Sequence, residues 1–103
     1  MRYKNLFTPV KIGSLIIKNR FAMAPMGPLG LSDSQGGFNQ RGIDYYTERA
    51  KGGTGLIITE VTCVDPPLGI NTAQYIALSD DKYIPGFRRI TDVIHQYGSK
   101  CAI

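Results

Sequence analysis

The feature that most constrains this chain is an alternation. Two apolar runs, Phe21–Ala24 and Gly55–Thr62, each break at the carboxyl end into a glycine- and proline-bearing loop, and each is followed by a segment of helical periodicity. Pro25 stops the first run, because proline cannot donate to a sheet ladder and sits at strand ends. Gly27-Pro28-Leu29-Gly30 then leaves the sheet as a loop. The second run is rich in β-branched residues, the pattern of a parallel strand buried on both faces. Its loop carries Pro66-Pro67 and Gly69. In α/β folds, ligands bind where apolar strands end abruptly in such loops.

The helical segments have clear limits. Asn39 is an N-cap for a helix over Gln40–Lys51, in which Ile43, Tyr46 and Ala50 recur at spacings of three and four. Gly52-Gly53 ends it. Ser79 or Asp80 caps a second helix reaching to about Tyr97, with Phe87, Ile90, Ile94 and Tyr97 on one stripe and Pro85 in the first turn. Gly98 closes that helix, and Lys100–Ile103 starts a third strand. Ahead of everything, Val10-Lys11-Ile12 and Leu15-Ile16-Ile17 flank Gly13-Ser14, a two-residue hairpin signal.

The order is therefore hairpin, β, α, β, α, β, which implies a parallel sheet with helical crossovers. Two architectures fit: a doubly wound open sheet, and the first part of a (β/α)8 barrel. A leading hairpin favours the barrel, whose open bottom it can plug. The dinucleotide fingerprint G-x-G-x-x-G does not follow either strand, and Gly27-Pro28-Leu29-Gly30 lacks its spacing.

Composition narrows the class. Of 103 residues, 43% are hydrophobic and 19% charged, as in a soluble globular chain. No run approaches the roughly 18 apolar residues of a membrane span, and the N-terminus lacks the apolar core of a signal peptide. Cys63 and Cys101 have no CxxC partner and read as structural thiols in a reducing cytoplasm. The net charge is +4, with Arg2, Lys4, Lys11, Lys18 and Arg20 in an opening stretch that contains no acid. These cations alternate singly with apolar residues, as on the wet side of a hairpin. A small basic nucleic-acid binder is the alternative class they leave open.

Several segments taken together carry a resemblance. Leu6-Phe7-Thr8-Pro9-Val10-Lys11-Ile12-Gly13, Leu15-Ile16-Ile17-Lys18-Asn19-Arg20, Met23-Ala24-Pro25-Met26, Tyr45-Tyr46-Thr47-Glu48-Arg49-Ala50-Lys51-Gly52-Gly53 and Gly55-Leu56-Ile57-Ile58-Thr59-Glu60 are similar, in order and spacing, to the N-terminal part of the old yellow enzyme family of NADH:flavin oxidoreductases. The Tyr-Tyr-x-Glu-Arg-Ala-Lys-Gly-Gly helix end resembles the 2-enoate reductase and 2,4-dienoyl-CoA reductase branch. The resemblance implies that residues 1–103 are the N-terminal portion of an FMN-binding TIM-barrel domain, comprising hairpin, two βα units and the start of a third strand. It implies an enzyme that passes hydride from NAD(P)H to FMN and on to an activated alkene such as an enone, enoate or enoyl thioester. It further implies a cytoplasmic homo-oligomer acting on a small molecule, with neither nucleic acid nor membrane as partner.

For the site, the resemblance assigns Ala24, Pro25, Met26 and Gly27 to the flavin ring, largely through backbone atoms, and adds Val61 after the second strand. Small residues and free backbone groups suit a flat ring with a polar edge. Gly27 stands where some relatives carry a potential-tuning cysteine, and Leu29 where some carry a substrate-facing tyrosine. The family's pyrimidine-binding glutamine, substrate-binding His/Asn pair, proton-donating tyrosine and phosphate-binding loops would all follow Ile103, as would an iron–sulfur cysteine cluster, which Cys63 and Cys101 do not match. No catalytic residue and no metal ligand is therefore expected within 1–103, and the segment alone is expected to be inactive. A non-catalytic flavin- or phosphate-binding half barrel is the alternative function.

Other residues have plainer readings. His95 reads as a surface residue at a helix end rather than an acid or base. Gly52-Gly53-Thr54-Gly55 precedes a strand, so it reads as a helix stop and not a phosphate loop. Glu60, near a strand top, is either catalytic or a buried ion pair with Arg20, Arg41 or Arg49. Met23 reads as core.

Overall fold

In the computed structural model, which describes residues 2–103, the hairpin pairs β1 (Val10–Ile12) with β2 (Leu15–Ile17) in antiparallel register, Val10 opposite Ile17. A three-stranded parallel sheet follows, formed by β3 (Ala22–Met23), β4 (Leu56–Ile58) and β7 (Lys100–Ala102), with β4 in the middle. Ala22 faces Leu56, and Leu56 faces Lys100. Helices α1 (Gln40–Lys51) and α2 (Ile84–Gln96) make the two crossovers.

The predicted stripes build the core. Ile43, Tyr46 and Ala50 from α1 meet Phe87, Ile90 and Ile94 from α2, and Ile57 of β4 packs against them. Ile57, Ile90 and Ile94 are fully buried, each contributing about 1.5–3 kcal/mol through the area it removes from water. Phe38 stacks edge-on against both Tyr46 and Phe87, at 5.9 and 5.2 Å between ring centres. Tyr97 falls outside the stripe. It is the residue after the last turn of α2, and its carbonyl accepts from Lys18 Nζ at 2.6 Å.

Capping follows the sequence closely. Asn39 Oδ1 accepts from Gly42 N at 2.9 Å, while its amide donates to the Gly30 and Ser32 carbonyls, tying the long loop to the helix it starts. Asp80, not Ser79, is the second cap; it accepts from Lys82 N and opens a short 3-10 turn, Asp81–Tyr83, that runs into α2. Gly53 ends α1 at φ +104°, where any side chain would be strained.

The end of the hairpin abuts the amino end of β4. Ile17 is buried, and Asn19 Nδ2 donates to the Gly53 carbonyl at 2.6 Å just before β4.

The second strand is shorter than the apolar run suggests. β4 stops at Ile58, and Thr59 N makes one further bond, to the Ala102 carbonyl. The chain then leaves the sheet because Glu60 turns inward to Tyr46. Thr62–Cys63 forms a separate strand, β5, paired in parallel with β6 (Ile76–Ala77) in a two-stranded sheet of its own. Among the described residues, no helix is long and apolar enough to cross a membrane.

Candidate functional site

The site lies past the carboxyl ends of β3 and β4, where both strands run out into loops. Beyond Met23 the chain is exposed through Ala24, Pro25, Met26 and Gly27. Among the described residues, the backbone groups of Met26 and Gly27 have no hydrogen-bond partner. The loop then folds back on itself: Asp33 Oδ1 accepts from the Gln35 and Gly37 amides, and Ser32 bridges to Phe38. Gly42 lets this loop approach α1, since a β-carbon there would stand 2.8 Å from the Leu31 carbonyl oxygen.

Two hollows open at this end. One, of about 180 Å³, lies between Gly27–Ser32 and the segment 71–76. The other, of about 370 Å³, is bordered by Pro25, the end of β4, Leu78 and Ile103. Glu60 and Val61 border both. The hydroxyls of Ser32, on the first hollow, and Thr59, on the second, are buried without a hydrogen-bond partner among the described residues. Buried hydroxyls are almost always paired, so two orphans beside these hollows mark places where an outside group completes the bonding.

The expected flavin-lining residues divide on this geometry. Gly27 and Val61 come together: a β-carbon on Gly27 would sit 3.8 Å from Val61 Cγ1. Pro25 joins Val61 on the second hollow, while Gly27 lines the first. Ala24 and Met26 line neither hollow, and the Met26 side chain is 58% exposed. Met23 packs against the core and His95 is exposed in the last turn of α2, as read from the sequence.

Glu60 requires a correction. It is buried, and its partner is not an arginine. Tyr46 Oη donates to Glu60 Oε1 at 2.9 Å and accepts from the Glu60 backbone N–H at 3.0 Å. Arg49 instead stacks on the Tyr45 ring, 3.6 Å from its centre, and Arg41 stands against Gly30. Burial pushes the Glu60 carboxyl above the usual carboxylate range, and the bond from Tyr46 works against that shift. Burial likewise raises the Tyr46 hydroxyl, so it stays protonated and donating. The signal was in the sequence: a tyrosine in an apolar helical stripe brings a hydroxyl that needs a partner. The wall at 71–76 carried no such signal.

Comparison with known proteins decides the family. Residues 5–103 match the NADH:flavin oxidoreductase / NADH oxidase family. This chain belongs to that family. It is 47% identical over 98 residues to an NADH oxidase of Thermoanaerobacter brockii and 44% identical over 102 residues to a cinnamate reductase of Clostridium sporogenes. Those matches cover 95% and 96% of this chain, which spans only 15% of each relative's length. Among solved structures, a 2-naphthoyl-CoA reductase complex superposes with a TM-score of 0.89 at 31% identity, over 96% of this chain and 15% of that one. The old yellow enzyme from Pichia gives 0.82 at 28% identity, over 94% and 25%. The fold is thus the partial (β/α)8 barrel of this family, with the hairpin ahead of its first strand, and the doubly wound alternative falls away.

Proposed function

We propose that these residues supply one side of the FMN site in an oxidoreductase that moves hydride from NAD(P)H to an activated alkene. One observation carries the reading most directly: Gly27 and Val61, from the ends of adjacent strands, meet at the border of a hollow beside backbone groups left free by the chain. The residues fit a flavin. Gly27 offers no side chain to obstruct a flat ring, and Met26 and Gly27 offer backbone donors and acceptors to its polar edge. FMN, when bound, supplies the hydride chemistry. The part of Pro25, Gly27 and Val61 is to hold and shape, with Ala24 and Met26 acting through their backbone.

The names of two relatives, a cinnamate reductase and a 2-naphthoyl-CoA reductase, favour a conjugated acid or thioester as the small-molecule substrate. A cytoplasmic homo-oligomer without nucleic-acid or membrane partners completes the reading. The test is NADH- and NADPH-dependent reduction of cinnamate, an enoyl thioester and a simple enone by the intact FMN-loaded protein. Turnover with bound FMN is the expected result, and FMN-free protein without turnover would sink the proposal. A polypeptide of residues 1–103 alone should give no alkene reduction above a free-FMN control.

A further inference from the structure

We propose that Glu60 sets the reduction potential of the bound flavin, holding it lower than the same site would without a carboxylate. This rests on the flavin reading above and names a residue that reading does not use.

Three observations lead to it. First, Glu60 borders both hollows, together with Val61, and Gly27 and Pro25 line one hollow each. Second, Glu60 is 8% exposed and makes no ion pair among the described residues. Third, Tyr46 holds it in one place. The Tyr46 hydroxyl accepts the Glu60 N–H, which leaves its proton directed at Oε1. The ring that carries this hydroxyl is fully buried in the α1 stripe. The side chain is therefore fixed from the core, and its second oxygen has no hydrogen-bond partner among the described residues.

The electrostatic consequence has a definite sign. A two-electron reduction adds electron density, and commonly net negative charge, to the isoalloxazine. At a pH above its raised range, the ionised Glu60 carboxylate is a fixed charge in a poorly solvated wall, and it opposes that addition more strongly than it would in water. The oxidised form is favoured and the potential falls. No bond is made or broken by Glu60 in this role.

The experiment is spectroelectrochemical titration of the FMN-loaded protein that carries residues 1–103 within an intact barrel, wild type against Glu60→Gln and Tyr46→Phe. Gln keeps an acceptor for Tyr46 and removes the charge. At a fixed potential its oxidised-to-reduced ratio should fall at least tenfold, which for a two-electron couple is a rise of about 30 mV. Tyr46→Phe removes the donor that favours the ionised carboxyl, and should shift the potential in the same direction by less. It remains the deciding variant if Glu60→Gln does not fold. FMN content, measured first, tests the flavin reading by itself, and its absence from the wild-type protein overturns both. With FMN bound, a wild-type potential in the variants overturns the role of Glu60 alone.

Discussion

Gly55 sits so close to Asn19 that a β-carbon at this glycine would overlap the Asn19 amide oxygen and crowd Ile17 Cγ2 at 2.9 Å. Asn19 cannot step aside cheaply. Its amide donates to the Gly53 carbonyl, and its oxygen accepts from Phe21 N at 3.1 Å. The hairpin is thereby locked to the amino ends of β3 and β4. Gly55→Ala should destabilise the protein by about 1–3 kcal/mol, the usual cost of overpacking. Urea unfolding of the intact protein measures it, and an unchanged midpoint would show that the hairpin seat is looser than its geometry.

Gly27 is the opposite case. A β-carbon there meets Val61 at ordinary contact distance, so Gly27→Ala should leave stability unchanged. Gly27→Leu fills the space over the hollow that we assign to the flavin. It should weaken FMN binding by tenfold or more, about 1.4 kcal/mol, with little change in unfolding. Equal dissociation constants for wild type and Leu variant, read by flavin fluorescence, would take this loop out of the site.

Removing the Tyr46 hydroxyl orphans two groups at once, the Glu60 carboxyl oxygen and its backbone N–H. Each unpaired buried group costs about 1–3 kcal/mol, so Tyr46→Phe should destabilise by at least that much despite keeping the ring. Denaturant unfolding of wild type and variant checks this. A stability loss below 0.5 kcal/mol, given as a rough threshold, would mean that water replaces the hydroxyl.

Glu60 also gives stability a pH dependence. Because burial raises its pKa in the folded state, the folded chain holds this proton more readily than the unfolded one. Its contribution is fullest below the unfolded carboxylate value, about 4.3, and is lost as pH rises through the raised folded value. The unfolding free energy of wild type minus that of Glu60→Gln should therefore fall as pH rises from the unfolded carboxylate value through the raised folded one. A difference that rises with pH would require a cation near Glu60 instead.

Much of this was legible beforehand, and the reasons differ by element. The helix stripes, the Asn39 cap and the Gly53 stop rest on local chemistry, and they stand where the sequence pattern put them except for Tyr97, which lies past the end of α2. The end of β4 was not legible, because an apolar run through Val61 does not reveal that Glu60 turns inward to a hydroxyl fourteen residues earlier. The β5–β6 pair was hidden for a related reason: two-residue strands carry no period to detect. Gly27 and Val61 were grouped by the family resemblance alone, and adjacent parallel strands bring them together, whereas the wall at 71–76 depends on where the loop returns.

Exposure at the sheet's open side yields a fifth expectation. Val61, Met26 and Ile103 are each more than half exposed, and β3 and β7 are edge strands among the described residues. Apolar patches next to unpaired edges template association. A polypeptide of these 103 residues should be oligomeric, aggregated or partly folded at micromolar concentration. Light scattering with a thermal melt measures this, and a monodisperse monomer with a sharp transition would mean that the apolar edge is satisfied within the chain.

The small sheet of β5 and β6 has an evolutionary reading. Its two strands clamp the base of the excursion through residues 64–75 to each other and not to the main sheet. At its tip Leu68 is almost fully exposed. Length and sequence can drift inside that clamp, reshaping one wall of the hollow while the strand ends that hold Gly27 and Val61 stay put. A change inside the excursion can therefore alter one wall of the first hollow with the scaffold beneath it left alone.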